Sequence, residues 1–358
     1  MALTWPAEIE LLQELVATPS ISGNEEAVGR LVEETARRRG LDVVRDDAGV
    51  RVEVAGRAPG RTLALVSHLD VVPPGEGWVR DPFFPSIEEG RLYGRGSGDA
   101  KGPVAAMLTA AMDVAEKGGL AAGRLVVILG YGEETRNTTM PAAVERTGGI
   151  DAAIVGEPTN LDIAVAQRGL MMVDLVARGD QRHAGYASED GTFTNAAVSL
   201  AADLLLLSTL FPDRPHPVLG APTVTPTMLE GGVSRNVTPP QARAVLDVRS
   251  TPAWPHAEIA ERLRETLESD VIVTSDRLVP CETPAGSRLL AVASQVRPQA
   301  ARFGSPTCSD WVFLRHLDAI KCGPGTSRRS HTPDEYIDLH EVTAARRFYA
   351  RVAEEYLR

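Results

Sequence analysis

TLALVSHLD (62–70) opens as an uncharged, mostly apolar run over 62–67 that ends abruptly on His68 and Asp70. Such a run is too short for an ordinary helix and fits a strand buried on both faces, the kind found in parallel sheets. Two further runs repeat the form: LVVIL (125–129), followed by Gly132-Glu133-Glu134, and AAIV (152–155), followed by Gly156-Glu157-Pro158. Between the first two, Val104, Met107, Ala111 and Val114 recur at spacings of 3, 4 and 3, one face of a helix that Gly118-Gly119 ends. Strand, helix and strand in alternation predict a mainly parallel sheet with helices on both faces, an α/β fold.

Working outward, 7–17 and the stretch from Ser22 to Gly40 have helical spacing, and 41–44 and 50–54 flank a hairpin loop ending in Gly49. The texture changes after Arg168-Gly169. A strand at 170–176, an apolar helix at 196–210, a strand at 242–248, an amphipathic helix at 258–267 and a strand at 271–274 follow. With one more strand before 242, that order is the β-α-β-β-α-β of a ferredoxin-like α+β domain. Residues 284–358 return to helix–strand–helix and close on a helix at 341–357. The expectation is therefore one α/β domain, 1–167 and 284–358, interrupted by an inserted α+β domain at 168–283.

A chain of 358 residues carries enough material for two compact domains, and its 43% hydrophobic and 24% charged residues suit a globular protein. The net charge of −11 has the wrong sign for a general nucleic-acid binder. No apolar run reaches the ~18 residues of a membrane span, and the N-terminus lacks a signal-peptide profile, so a cytoplasmic, membrane-free protein is expected. Cys281, Cys308 and Cys322 have no CxxC spacing, which argues against a disulfide framework or a thiolate zinc site.

In open parallel sheets, ligands bind at the carboxyl ends of the strands. His68 and Asp70, Glu133 and Glu134, and Glu157 each follow one of the three buried runs, and Asp99 opens the helix between the first two. His331 lies in the returning segment. Taken singly, each has a plain structural account: Asp99 as a helix cap, and Thr332-Pro333-Asp334-Glu335 as a helix start with Thr as N-cap, Pro at N1 and Glu at N3. Convergence after successive strands favours a metal centre instead. Histidines and carboxylates without cysteine suit Zn²⁺, Mn²⁺ or Co²⁺, and two His with three carboxylates suffice for two ions if one Asp bridges. A GxSxG elbow and a Walker A loop are both missing, and Gly94–Gly98 departs from GxGxxG. His216, His256, His316 and His340 read as surface or packing residues, and Cys308 as packing.

The chain resembles the dinuclear zinc aminoacylases and exopeptidases, a family that includes acetylornithine deacetylase, succinyl-diaminopimelate desuccinylase and the folate-cleaving glutamate carboxypeptidase. The resemblance rests on SHLDVVPPGEGWVRDPF (67–83), LYGRGSGDAKGPVAAML (92–108), GEET (132–135), GEPT (156–159), GGVSRNVTP (231–239), DVRSTP (247–252) and GPGTSRRSHTPDEYI (323–337). It implies two divalent ions, Zn²⁺ first and Co²⁺ or Mn²⁺ as alternatives, with His68, bridging Asp99 and Glu157 on one and Glu134 and His331 on the other. Glu133 is then the general base, and Asp70 fixes the tautomer of His68. The resemblance further implies that His183 reaches across a homodimer to the scissile carbonyl, that Asn236 and Arg249 contact the substrate's carboxylate, and that the insertion is a dimerisation or lid domain.

Two departures bear on the substrate, a small N-acyl amino acid on this resemblance. After His183 the chain runs Ala-Gly-Tyr186 to Asn195 without the family's usual Pro, and Ser309-Asp310-Trp311-Val312-Phe313 lacks the Arg of the desuccinylase pattern. The closest expectation is an acetylornithine-deacetylase-like amidohydrolase. Dipeptidase or carboxypeptidase action, or deacylation of acetyl-lysine, acetyl-citrulline, succinyl-diaminopimelate or a carrier-linked amino acid, stands as the alternative. A non-catalytic metal- or peptide-binding relative is the different-class reading, which an intact Glu133 speaks against.

Overall fold

A computed structural model describes residues 5–135, 137–187 and 193–358. The chain forms two compact units: Met1–Val165 with Thr283–Phe303 and Ser309–Arg358, and Ala166–Glu282 with Gly304–Cys308. The short segment Gly304–Cys308, expected from sequence with the first unit, groups with the second.

In the first unit, strands Arg124–Gly130, Thr62–His68, Ala152–Val155 and Asp318–Lys321 lie side by side and parallel. Every residue of Thr62–His68 is buried, which requires cover on both faces and explains why the run carries no alternation. The hairpin Asp42–Asp46/Gly49–Ala55 adds antiparallel to the Arg124–Gly130 edge, and Ile163–Gln167 adds antiparallel at Lys321. Helix Gly102–Glu116 packs against Leu339–Tyr356 and Ala7–Val16, and almost all of it is buried. Its Val104, Met107, Ala111 and Val114 join the core formed by Leu63, Leu65, Leu125, Val127 and Ile154. Helix Glu26–Arg38 covers the hairpin. The mixed α/β class expected from sequence is the class observed.

A small three-stranded sheet, Ser86–Glu88, Arg91–Tyr93 and Tyr336–Asp338, was not foreseen; strands of three residues leave too little pattern to read. It joins the segment leading to Asp99 with the segment that follows His331. The helix start that Thr332-Pro333-Asp334-Glu335 offered as the plain alternative does not form, and the C-terminal helix expected at 341–357 begins at Leu339. Residues 332–335 turn instead, with Asp334 at φ +50°.

The second unit has its own core, built from Met171, Val173, Leu175, Leu200, Leu246, Val248, Ile259 and Leu263. Its order is strand Leu170–Arg178, helix Ala196–Leu206, strands Thr223–Gly231 and Gln241–Arg249, helix His256–Thr266 and strand Asp270–Leu278. The sheet runs Thr223–Gly231, Gln241–Arg249, Leu170–Arg178, Asp270–Leu278, antiparallel throughout, which is the ferredoxin-like arrangement. Strict burial alternation along Gln241–Arg249 places one face under the two helices. The chain leaves the first unit at Val165 and re-enters it at Thr283, and the Thr283 N–H donates to the Val165 carbonyl at 2.8 Å.

Candidate metal centre

The parallel strands end in register, with His68 opposite Gly130 and Val66 opposite Val155, so the residues after each strand emerge together. Gly156 lets the third turn approach helix Gly102–Glu116, since a Cβ there would stand 2.3 Å from Met107 Cε. His68, Asp99 and Glu157 consequently bring one ligand atom each within 4.8 Å of one another, and so do Asp99, Glu134 and His331. Asp99 belongs to both groups. Its Oδ1 lies 3.3 Å from His68 Nε2 and its Oδ2 lies 3.6 Å from His331 Nε2. It therefore faces inward between the histidines; it does not cap the following helix, whose N-cap Lys101 makes no side-chain cap bond.

His68 Nε2 is buried and has no hydrogen-bond partner among the described residues, although Asp99 and Glu157 Oε1, at 3.9 Å, surround it. A cation bound between the two carboxylates would satisfy this orphaned ring nitrogen. The electrostatics agree. Burial raises Glu157 to about 8, with the like charge of Asp99 adding to the effect. Burial also lifts Glu133 well above the usual carboxylate range; nearby His68 opposes this, and Glu157, Asp310 and Glu134 reinforce it. Glu134 is raised by burial despite its bond to His331. For His68, burial would favour the neutral ring, but Asp70 and Asp99 outweigh it and push its pKa well up. So many carboxyl groups competing for protons in one place is relieved by divalent charge. The donor set, His and carboxylate only, fits Zn²⁺, Co²⁺ or Mn²⁺.

Asp70 does more than the sequence suggested. Its carboxylate stands 3.5 Å from His68 Nδ1, whereas its own backbone carbonyl is closer, at 3.1 Å. The carboxylate accepts the backbone N–H groups of Glu133 (2.9 Å) and Glu134 (3.1 Å) and the Ser22 hydroxyl (2.7 Å). Asp70 thus ties the His68 strand end to the Glu133-Glu134 turn. Glu25 Oε1 holds the same turn through the Gly132 N–H at 3.1 Å. Glu134 Oε1 meets His331 Nε2 at 3.0 Å, and His331 sits half-exposed at φ +65°.

Three residues were given no role at the centre by the sequence reading. Asp310 is buried, raised to about 6 by burial, and bonded by Asn137 Nδ2 at 3.2 Å. Arg95 and Glu335 form a buried pair at 2.6 Å. Glu335 carried a local signal, which pointed to a helix start, and Asp310 lay in the segment compared with the desuccinylase pattern.

The second unit brings His183 and Asn236 together across a long sequence separation: His183 pairs with Val237, and the Ala184 N–H donates to the Asn236 carbonyl at 2.8 Å. Both are exposed, and His183 Nδ1 accepts the Gly185 N–H at 3.1 Å. Arg249 ends its strand with Nε and Nη2 held by Asp247 at 2.7 and 3.0 Å. Of the segment after His183 expected to shape the pocket, residues 188–192 lie outside the described residues. His216 and His256 prove to be buried, bonded to Glu282 (3.2 Å) and to Ser250 (2.7 Å). Among the described residues no helix is long and apolar enough to cross a membrane.

Fold and site together define a metal-dependent hydrolase. The chain belongs to peptidase family M20/M25/M40, whose model matches residues 64–355. Among solved structures it is similar to an aminopeptidase, PepT, from Bacillus cereus, with TM-score 0.81 and 21% identity over 98% of each chain. A family M20 metallo-carboxypeptidase from Sulfolobus solfataricus gives TM-score 0.78 and 20% identity, covering 98% of this chain and 99% of the other. A dinuclear metal-binding peptidase of the family from Bacillus subtilis gives 0.74 and 17%, covering 98% and 97%.

Proposed function

We propose that the protein hydrolyses the amide bond of an N-acyl amino acid, with an acetylornithine-like substrate as first choice. The observation that carries the hydrolytic part of this reading is the division of labour between adjacent carboxylates: Glu134 is paired with His331, while Glu133 stands beside it, buried among acidic neighbours. Two ions held by His68, Asp99 and Glu157 and by Asp99, Glu134 and His331 would supply Lewis acidity, polarising the carbonyl and acidifying the attacking water. Glu133 takes the proton from that water and returns it to the leaving amine. Asp70 fixes the Glu133-Glu134 turn throughout. A steady-state comparison of acetyl-ornithine, acetyl-lysine, acetyl-citrulline and several dipeptides tests the choice, and turnover of the dipeptides alone would overturn it. Peptide hydrolysis is the second reading, favoured by the peptidases among the similar structures.

Arg249 and Asn236 recognise the substrate's free carboxylate in this reading. Because Asp247 occupies two of the guanidinium donors, Arg249 offers Nη1 to the ligand. Amidating that carboxylate should cost about 2–5 kcal/mol in kcat/KM, the usual loss when a buried charge loses its partner. Equal kcat/KM for acid and amide would remove both residues from the binding site.

A homodimer in which His183 serves the neighbouring subunit completes the proposal. It is supported by Thr223–Gly231, an edge strand exposed along nearly its whole length with Met228 and Leu229 outward, and by exposed Val198 and Leu205 on helix Ala196–Leu206. An uncovered edge with apolar side chains invites pairing with another chain. Mixing inactive His183→Ala and Glu133→Gln proteins should restore about a quarter of wild-type activity after statistical exchange in a two-fold dimer. No recovery after demonstrated exchange would show that His183 serves its own chain or none.

A further inference from the structure

We infer that Glu335 is a positioning residue for the two-ion centre, setting the placement of Asp99 relative to His331; this rests on the metal reading proposed above. Its side chain is 1% exposed and saturated with donors. Oε1 accepts the N–H groups of Gly98 (3.0 Å) and Asp99 (3.1 Å); Oε2 accepts Gly96 N–H (3.1 Å) and Arg95 Nη1 (2.6 Å). Arg95, equally buried, donates through Nη2 to the Pro74 carbonyl at 3.1 Å and stacks over Trp78.

The geometry explains why one carboxylate can govern two loops. Arg91–Tyr93 and Tyr336–Asp338 pair antiparallel, with Tyr93 opposite Tyr336, and the Gly94 N–H extends the ladder to the Glu335 carbonyl at 2.9 Å. The loop carrying Asp99 and the loop carrying His331 therefore leave the same end of one ladder. Gly96 lies at φ +80°, where an added Cβ would stand 2.4 Å from Val71 Cγ1, so the first loop is pressed close against its surroundings. On the other loop, His331 and Asp334 both hold left-handed backbone, a conformation that persists only where neighbours enforce it. Asp334 is anchored by the Val79 and Arg80 N–H groups at 3.2 and 3.1 Å, and Glu335 supplies the second anchor. Removing the carboxylate frees both loops, whereas His68 and Glu157 stay fixed to strand ends. The ion between Asp99, Glu134 and His331 loses two ligands from register; the other loses one.

The test is calorimetric titration of chelator-stripped, full-length protein with Co²⁺, alongside thermal unfolding. In Glu335→Gln one of two binding steps should weaken about 10–100-fold, the usual consequence of losing a partner behind the ligands, while the other weakens by a smaller factor. The weakened step should be the one that His331→Ala abolishes. Glu8→Gln, which weakens the ion pair between buried Glu8 and partly exposed Arg346 on other elements, serves as the stability control: its melting point should fall with both steps intact. If Glu335→Gln does not fold, Glu335→Asp retains the charge opposite Arg95 while shortening its reach to Gly98 and Asp99, and the same shift is expected. Wild-type binding steps in the variant, or equal weakening of both, would overturn the inference. A wild type that takes up no ion would instead sink the metal reading itself.

Discussion

Glu133→Gln is expected to lower kcat by about 10²–10⁴-fold while two ions still bind, because the amide is nearly the same size but cannot take a proton. Metal analysis beside steady-state kinetics separates this from His68→Ala and His331→Ala, in which metal content itself should drop. Burial is the first cause that lifts Glu133 above an ordinary carboxylate, ahead of its acidic neighbours. A base must be unprotonated to act, so kcat/KM should rise with pH through the pKa of Glu133, and the acid limb should vanish from the residual activity of the variant. Activity and acid limb both surviving in Glu133→Gln would remove this residue from the chemistry.

Stripping the protein with a chelator should abolish turnover, and Zn²⁺ or Co²⁺ should restore it. It should also lower the melting temperature. Glu133, Glu134 and Glu157 gather in one place, and without cations their burial and mutual repulsion oppose the folded state. An ion held at a free concentration 100 times its Kd adds about 2.7 kcal/mol to stability by mass action alone. An unchanged melting point with full chelator-resistant activity would point to a mechanism without metal.

What the sequence made legible follows from physics that acts locally. An apolar run closed by His68 and Asp70 is a buried strand with polar residues at its mouth, and three such runs in a parallel sheet must open on the same edge. The helix Gly102–Glu116 was equally readable, since its apolar spacing repeats over four turns. Glu335 was misread for the opposite reason. Thr332-Pro333-Asp334-Glu335 satisfies every local rule for a helix start, but the donors that claim its carboxylate lie at Arg95, Gly96, Gly98 and Asp99, invisible to any window of neighbouring residues. Asp310 and Ser22 likewise gain their roles from partners far along the chain. Tertiary hydrogen bonding overrode local propensity at the places nearest the chemistry.

The single hydrogen bond between Val165 and Thr283 has an evolutionary consequence. The long excursion leaves and returns at residues that touch each other, and closing a longer loop between them adds little entropic cost. Each unit keeps a separate core, so substitutions accumulate in one without eroding the packing of the other. A lineage can therefore rebuild or exchange the guest as a cassette while inheriting the acidic cluster of the host unchanged. A graft of a foreign guest joined at Val165 and Thr283, with Gly304–Cys308 exchanged alongside it, is the natural way to exploit it.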